Sequence, residues 1–243
     1  MPEQLFFTRL LNSAFHGPVT ALLSALHIAP ADASAPISNA VAMEVLVFGL
    51  LLVVFILVRS SLSVESPGGL QHAFEGINGF VEGQSREIIG HHSEQFTPFL
   101  VTLGLFLLLA NLFGVVPGLE SPTATPVVPL GCAICAFVYY QVQGFRQGGV
   151  GYLKHFLGPM WWLSPLMLPL EIISHLARLM SLTIRLYANM FAGDMVTLVF
   201  FSLIPVGIPV IFLALHIGVS LLQAYIFVLL TTVYLSGAVA EEH

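Results

Sequence analysis

From residue 170 to residue 204 the chain is mostly apolar, without proline and with one glycine, yet it carries Glu171, His175, Arg178, Arg185, Asn189 and Asp194. At about 100° per residue, Glu171, His175, Arg178, Arg185 and Asn189 fall within one stripe about 80° wide. The other faces of that helix are Leu, Ile, Met and Phe. A charge inside a membrane helix costs about 2.5–3.5 kcal/mol on insertion scales, so charges kept there mark ion pathways, relays or counter-ions.

Composition places the rest of the chain in the same setting. Charged residues make up 8% of the sequence and mean hydropathy is +0.92, whereas soluble domains carry about 25% charged residues. Most of the chain therefore faces lipid or packed membrane helices. A net charge of −6 argues against a nucleic-acid partner. Cys132 and Cys135 form a C-x-x-C inside an apolar run, a spacing used in redox and metal sites; in a membrane helix they are expected to be small packing residues.

The N-terminus imitates a signal peptide: Arg9, an apolar run over 19–29, then Ala31-Asp32-Ala33-Ser34-Ala35. Pro18 and His27 interrupt the run and Pro36 follows the would-be cleavage site, so 1–39 is expected to be an uncleaved, outer-side interfacial segment. The remainder, 40–243, is expected to be one all-α membrane domain. Spans are predicted at about 41–58, 98–117 and 127–145, followed by a helical hairpin at 166–204 and 207–236. Residues 69–90 place Leu70, Phe74, Ile77 and Val81 at helical spacing and predict a surface helix.

Five crossings put Arg59, Arg86, Arg146 and Lys154 on one side and Arg9 on the other. The positive-inside rule then sets the N-terminus outside, the surface helix inside, and Glu241-Glu242-His243 in the cytoplasm. The element 166–204 would be about 58 Å long as one helix, against about 30 Å of hydrocarbon. It must lie steeply tilted.

In an antiparallel hairpin, facing residues share a constant index sum. Arg185 with Gln223, Asn189 with Ser220, Arg178 with Thr231, and Asp194 with His216 all centre near Pro205, which ends the first helix. His216, Ser220 and Gln223 share one face of the second. Asp194 lies about 180° around the helix from Arg185. Either the helix breaks near Gly193, or Asp194 serves a different compartment.

A guanidinium keeps its charge and cannot pass protons, so Arg185 reads as a fixed cation opposite a mobile carboxylate on a partner. Glu171, Asp194 and His216 are suited to receive and deliver protons. Ser220, His175 and Asn111 have two open readings, pathway residues or helix–helix hydrogen bonding. Glu44 reads as an interfacial end residue.

The segment Ser181-Leu182-Thr183-Ile184-Arg185-Leu186-Tyr187-Ala188-Asn189-Met190-Phe191-Ala192-Gly193-Asp194 resembles the signature of subunit a of the F-type ATP synthase. So do Asn111-Leu112-Phe113-Gly114-Val115-Val116-Pro117 and the tail from Leu222-Gln223 to Tyr234-Leu235-Ser236. The resemblance covers about residues 40–240. It implies an essential Arg185 facing the carboxylates of a rotating c-ring, between two offset proton half-channels. Asn189, Asp194, His216, Ser220 and Gln223 would belong to the outer half-channel; Glu171, Arg178 and Ser181 would belong to the inner one. It also implies a bacterial plasma-membrane location, peripheral-stalk subunit b and the lipid bilayer as partners, and proton rather than sodium as the coupling ion. No cofactor, metal or nucleotide is implied, and no G-x-x-x-x-G-K-[ST] is present. The chain departs from the family pattern at Gly114, where many bacterial members carry an acidic residue. Arg178 stands where relatives often have lysine, and His175 lies outside the pattern.

Two rivals follow from the residues alone. An intramembrane metalloenzyme could use Glu171, His175 and His216, but H-E-x-x-H is missing and Arg178 would repel a cation. A stand-alone proton channel or secondary transporter often shows inverted repeats with broken helices, and none is visible.

Overall fold

The structure is a computed structural model that describes residues 5–25, 27, 35–60, 62–63, 68–90, 93–116, 119–149, 164–203 and 207–239, without the side chains of 164, 165 and 208. Several sequence features lie outside the described residues: most of the small-residue run before Pro36, Pro117, Lys154, Trp161-Trp162, Pro205 and Glu241-Glu242-His243.

Among the described residues the chain is helical throughout: α1 (Phe6–Ala25), α2 (Asn39–Ser60), α3 (Gly69–Ile89), α4 (Thr97–Leu112), α5 (Val127–Gly148), α6 (Ser164–Leu203) and α7 (Ile208–Val239). Short 3₁₀ turns stand at Ser93–Gln95, Phe113–Val115 and Pro122–Ala124. Five of the helices, α2, α4, α5, α6 and α7, are long and apolar enough to cross a membrane. The expected all-α architecture with five membrane helices and a long C-terminal pair is what the structure shows.

Local chemistry sets the boundaries. Pro98 sits in the first turn of α4, where its missing N–H costs nothing. The helix tightens at its far end into the 3₁₀ turn at Phe113–Val115. Gly149 stops α5 with φ +52° and donates its N–H to the Phe145 carbonyl at 3.0 Å, a left-handed cap that favours glycine. Surface helix α3 lays Phe74, Ile77 and Val81 on α2 and α4, with Phe74 edge-on to Phe55 at 5.8 Å.

The long helix α6 runs unbroken for 40 residues from Ser164 to Leu203, past Gly193. It is therefore about 60 Å long, twice the hydrocarbon thickness.

Helix α7 is the hub, packed against α3, α4, α5 and α6. Lipid tails are as apolar as leucine, so membrane helices associate through close fit. Gly104 shows it: a Cβ there would lie 2.9 Å from Val228 Cγ2, so glycine lets α4 approach α7. The central layer joins Leu103 and Leu107 of α4, Cys132, Ala133 and Ala136 of α5, Leu182, Leu186 and Met190 of α6, and Ala224 and Phe227 of α7. Cys132 is buried there, Cys135 is exposed, and both are free thiols. Buried hydroxyls cost little because Thr183, Thr231 and Thr232 bond the carbonyls one turn back, each at 2.8 Å.

Candidate functional site

The α6–α7 pair is antiparallel, and its register brings together polar residues of both helices. Asp194 Oδ1 lies 3.7 Å from His216 Nε2. His216 is 4% exposed and Asp194 is half-buried. The 180° offset between Arg185 and Asp194 is resolved without a helix break. Asp194 leaves the face of α6 that carries Arg185 and meets α7 and the turns beyond α4.

Two glycines make that meeting possible. A Cβ on Gly193 would stand 2.7 Å from His216 Nδ1, and one on Gly114 would stand 2.8 Å from Asp194 Oδ1 and 3.5 Å from His216 Nε2. The departure at Gly114 thus has a local reason: Asp194 fills the space that a side chain at 114 would take.

A buried hydrogen-bonded row walls this site. Ser121 Oγ and Thr123 Oγ1 are 2.8 Å apart, Thr123 donates to Asn111 Oδ1 at 2.7 Å, and Asn111 Nδ2 donates to the Ser220 carbonyl at 3.3 Å. Asn111, Thr123 and Ser220 are 0% exposed. Alongside is a cavity of about 250 Å³ lined by Asn189, Gly193, Thr197, Phe212, His216 and Val219. Glu120, next to Ser121 in the chain, accepts a long hydrogen bond from Asn39 Nδ2 at 3.5 Å.

A second polar cluster occupies the other half of α6. Glu171 Oε1 lies 3.4 Å from His175 Nε2, and His175 Nδ1 lies 3.3 Å from the Tyr140 hydroxyl of α5. Arg178 sits over the Tyr234 ring of α7, 5.4 Å from its centroid, a cation–π contact.

Between the clusters, half-buried Arg185 donates to the Ser181 hydroxyl at 3.2 Å. Leu182, Leu186 and Met190 of the same helix pack with Phe227 of α7 in the core, each at most 4% exposed. By helix rise, Asp194 lies about 14 Å from Arg185 and Glu171 about 21 Å in the opposite direction. Arg185 thus stands between the two polar clusters along α6.

Some expected pairings shift. Ser220 Oγ faces Met190 Sδ at 3.9 Å rather than Asn189, and Arg178 meets Tyr234 rather than Thr231. Gln223 is buried on α7. Glu44, the sixth residue of α2, lines a groove of about 540 Å³ with Phe48, Phe55, Phe106, Cys132 and Cys135. Sequence reasoning missed Ser121, Thr123, Glu120 and Tyr140. The polar Glu120-Ser121-Pro122-Thr123 run after an apolar span was the available signal for the first three. Among the described residues no three His, Cys, Asp or Glu side chains gather as metal ligands.

The family profile described as ATP synthase A chain matches residues 41–236. The chain is 59% identical to ATP synthase subunit a of Koribacter versatilis, over 100% of both chains. It is 49% identical to that of Solibacter usitatus, over 96% of this chain and 100% of the relative. It is 40% identical to that of Geotalea uraniireducens, over 91% and 94%.

Proposed function

The chain belongs to the ATP synthase subunit a family, and from that premise we propose that it passes protons through two offset half-channels to and from a rotating ring of c subunits. As a family member it is a multi-pass subunit of the synthase membrane sector, and nucleotide chemistry falls to other subunits.

One observation carries the finer reading: two polar clusters flank Arg185 and are parted by the layer of Leu182, Leu186, Met190 and Phe227. Neither cluster reaches the other within this subunit. A proton can cross only by leaving one cluster on a carrier, and a ring carboxylate moving past Arg185 is such a carrier. Asn189, Asp194, His216, Ser220, Gln223 and Asn111 form the outer half-channel. Glu171, Arg178 and Ser181 form the inner one. The Asp194–His216 pair suits protons, which carboxylate and imidazole exchange directly; sodium would call for a cage of oxygen ligands.

Arg185 compels release. At about 4 Å and an effective dielectric near 20, its attraction for a carboxylate is about 4 kcal/mol, a factor of about a thousand in protonation. A carboxyl arriving there gives up its proton, and the fixed charge blocks a direct leak. The ring seats on the face of α6 where Ile184 and Phe191 are exposed. Subunit b of the peripheral stalk is the other protein partner on this reading. Arg59 at the end of α2, Arg86 on α3, Arg146 near the end of α5 and Lys154 beyond it set that side in the bacterial cytoplasm, with the N-terminus outside.

Replacing Arg185 by alanine tests this. Gradient-driven ATP synthesis in reconstituted vesicles is expected to vanish while the complex stays assembled. Arg185→Lys fails as well, because lysine lacks the planar fork and loses its proton when desolvated. Synthesis above a few per cent of wild type in Arg185→Ala would refute the reading.

A further inference from the structure

Three buried or half-buried groups, Tyr140, His175 and Glu171, form a row from α5 to α6 that the half-channel reading leaves without a task beyond Glu171. We infer that His175 is a proton reservoir of the inner half-channel, taking a proton from Glu171 at Nε2 while Tyr140 holds its other nitrogen. The inference rests on the proton-conducting reading of the inner cluster.

The geometry sets the chemistry. His175 is 8% exposed, so its ring has little direct contact with bulk water. Glu171 is the wetter member, with its side chain 32% exposed against 11% for His175. Protons therefore reach the row through Glu171. In the tautomer the reservoir uses, the phenol oxygen of Tyr140, 3.3 Å from Nδ1, accepts Nδ1–H. The neutral ring then keeps a lone pair on Nε2, 3.4 Å from Glu171 Oε1. A protonated Glu171 passes its proton to that lone pair, which leaves a carboxylate facing an imidazolium. Both ring N–H groups of the imidazolium then have acceptors. Transfer back restores the protonated carboxyl and the neutral ring.

The surroundings support storage with easy return. Phe137 meets the His175 ring edge-on at 5.8 Å, and Tyr140 lies between His175 and Tyr234. Among the described residues, the titratable and charged groups facing the row include Tyr140 from α5, Glu171 and Arg178 from α6, and Tyr234 from α7. Arg178, three residues beyond His175, is drawn onto the Tyr234 ring. Its positive charge opposes a permanent imidazolium, so the stored proton is handed back.

The test uses the whole complex in liposomes with the catalytic sector outward, so that the bath sets the pH at the inner half-channel. ATP-driven proton pumping is measured from pH 5 to 9 and divided by uncoupled ATP hydrolysis at each pH. His175→Gln is expected to lower this ratio by roughly tenfold at neutral pH, less than a positioned acid–base group usually supplies because water reaches Glu171 directly. The loss varies with pH across the imidazole range. Imidazole added to the bath restores pumping in His175→Ala. Tyr140→Phe, which keeps the ring packing, moves the midpoint of the pH profile without lowering its maximum, and it carries the test if the His175 variants do not assemble. A pH-independent loss, unchanged pumping, or failure of imidazole to rescue an assembled His175→Ala complex would each overturn the inference. If Arg185→Ala abolishes synthesis while the His175 profile matches wild type, only the reservoir falls. If Arg185→Ala retains synthesis, the proton reading beneath it falls.

Discussion

Gly193→Ala is the smallest change that should separate the architecture of the Asp194–His216 site from its chemistry. The new methyl carbon would stand 2.7 Å from His216 Nδ1 and 3.0 Å from Cε1. Comfortable contact begins near 3.5 Å, so the ring must retreat by about 0.8 Å. His216 is nearly fully buried, and crowding of this kind costs about 1–3 kcal/mol. Alanine also improves helix propensity over glycine by about 1 kcal/mol. The two effects nearly cancel in stability, so the complex should assemble. They do not cancel in rate, since a misplacement approaching 1 Å can cost about a hundredfold in a positioned proton transfer. ATP-driven pumping in inverted membrane vesicles, followed with a pH-sensitive dye, is expected to fall roughly ten- to a hundredfold. Gly79→Ala in the exposed face of α3 is the control: nothing lies within 4 Å of its Cβ, so it receives the same propensity gain and should pump normally. Pumping by Gly193→Ala within about twofold of wild type would show that the position of His216 does not limit flux, and the reasoning from geometry to rate would fail.

Two further perturbations probe the same site. Asp194→Ala and His216→Ala should each slow pumping without uncoupling it, and the exchange Asp194→His with His216→Asp should recover more flux than either single exchange; a double variant no better than the worse single one would show that the residues do not act as a pair. Because a side chain at 114 would fill the place of the Asp194 carboxylate, Gly114→Asp should restore flux to Asp194→Ala and impair the otherwise wild-type chain, and pumping rates of the three variants decide it.

The five spans and the hairpin were legible because lipid demands long apolar runs, and proline and glycine punctuate them. The meeting of Asp194 with His216 followed from counting back from Pro205, since two antiparallel helices leave little freedom of register. Rotation about a helix axis leaves no such trace. Tyr139 and Tyr140 are adjacent in sequence, yet Tyr139 stacks on Phe99 at 3.7 Å while Tyr140 turns to His175. Only the packing of α5 on α6 and α7 decides which tyrosine joins the polar row. The Ser121–Thr123–Asn111 row was hidden for a different reason. It depends on a short turn folding back over the end of α4, and neither a period nor a hydropathy window registers that path. Asp194 illustrates the converse: an ideal helix placed it on the wrong side of α6 for Arg185, and the angle was right.

The place of Arg185 between the clusters has an electrical consequence. On the proposed half-channel reading, with water in both clusters, the membrane voltage no longer falls evenly over about 30 Å of hydrocarbon. It falls mostly across the apolar stretch that carries Arg185, which is shorter than the full hydrocarbon, so the gradient there is steeper. About 2.3 kcal/mol per charge per 100 mV is then released over that short interval. Arg185 is the one charged side chain between residues 182 and 190. Bonded to Ser181 and held by the helix, it sits in the steepest part of the potential without moving, so the voltage does its work on the mobile charge that passes beside it.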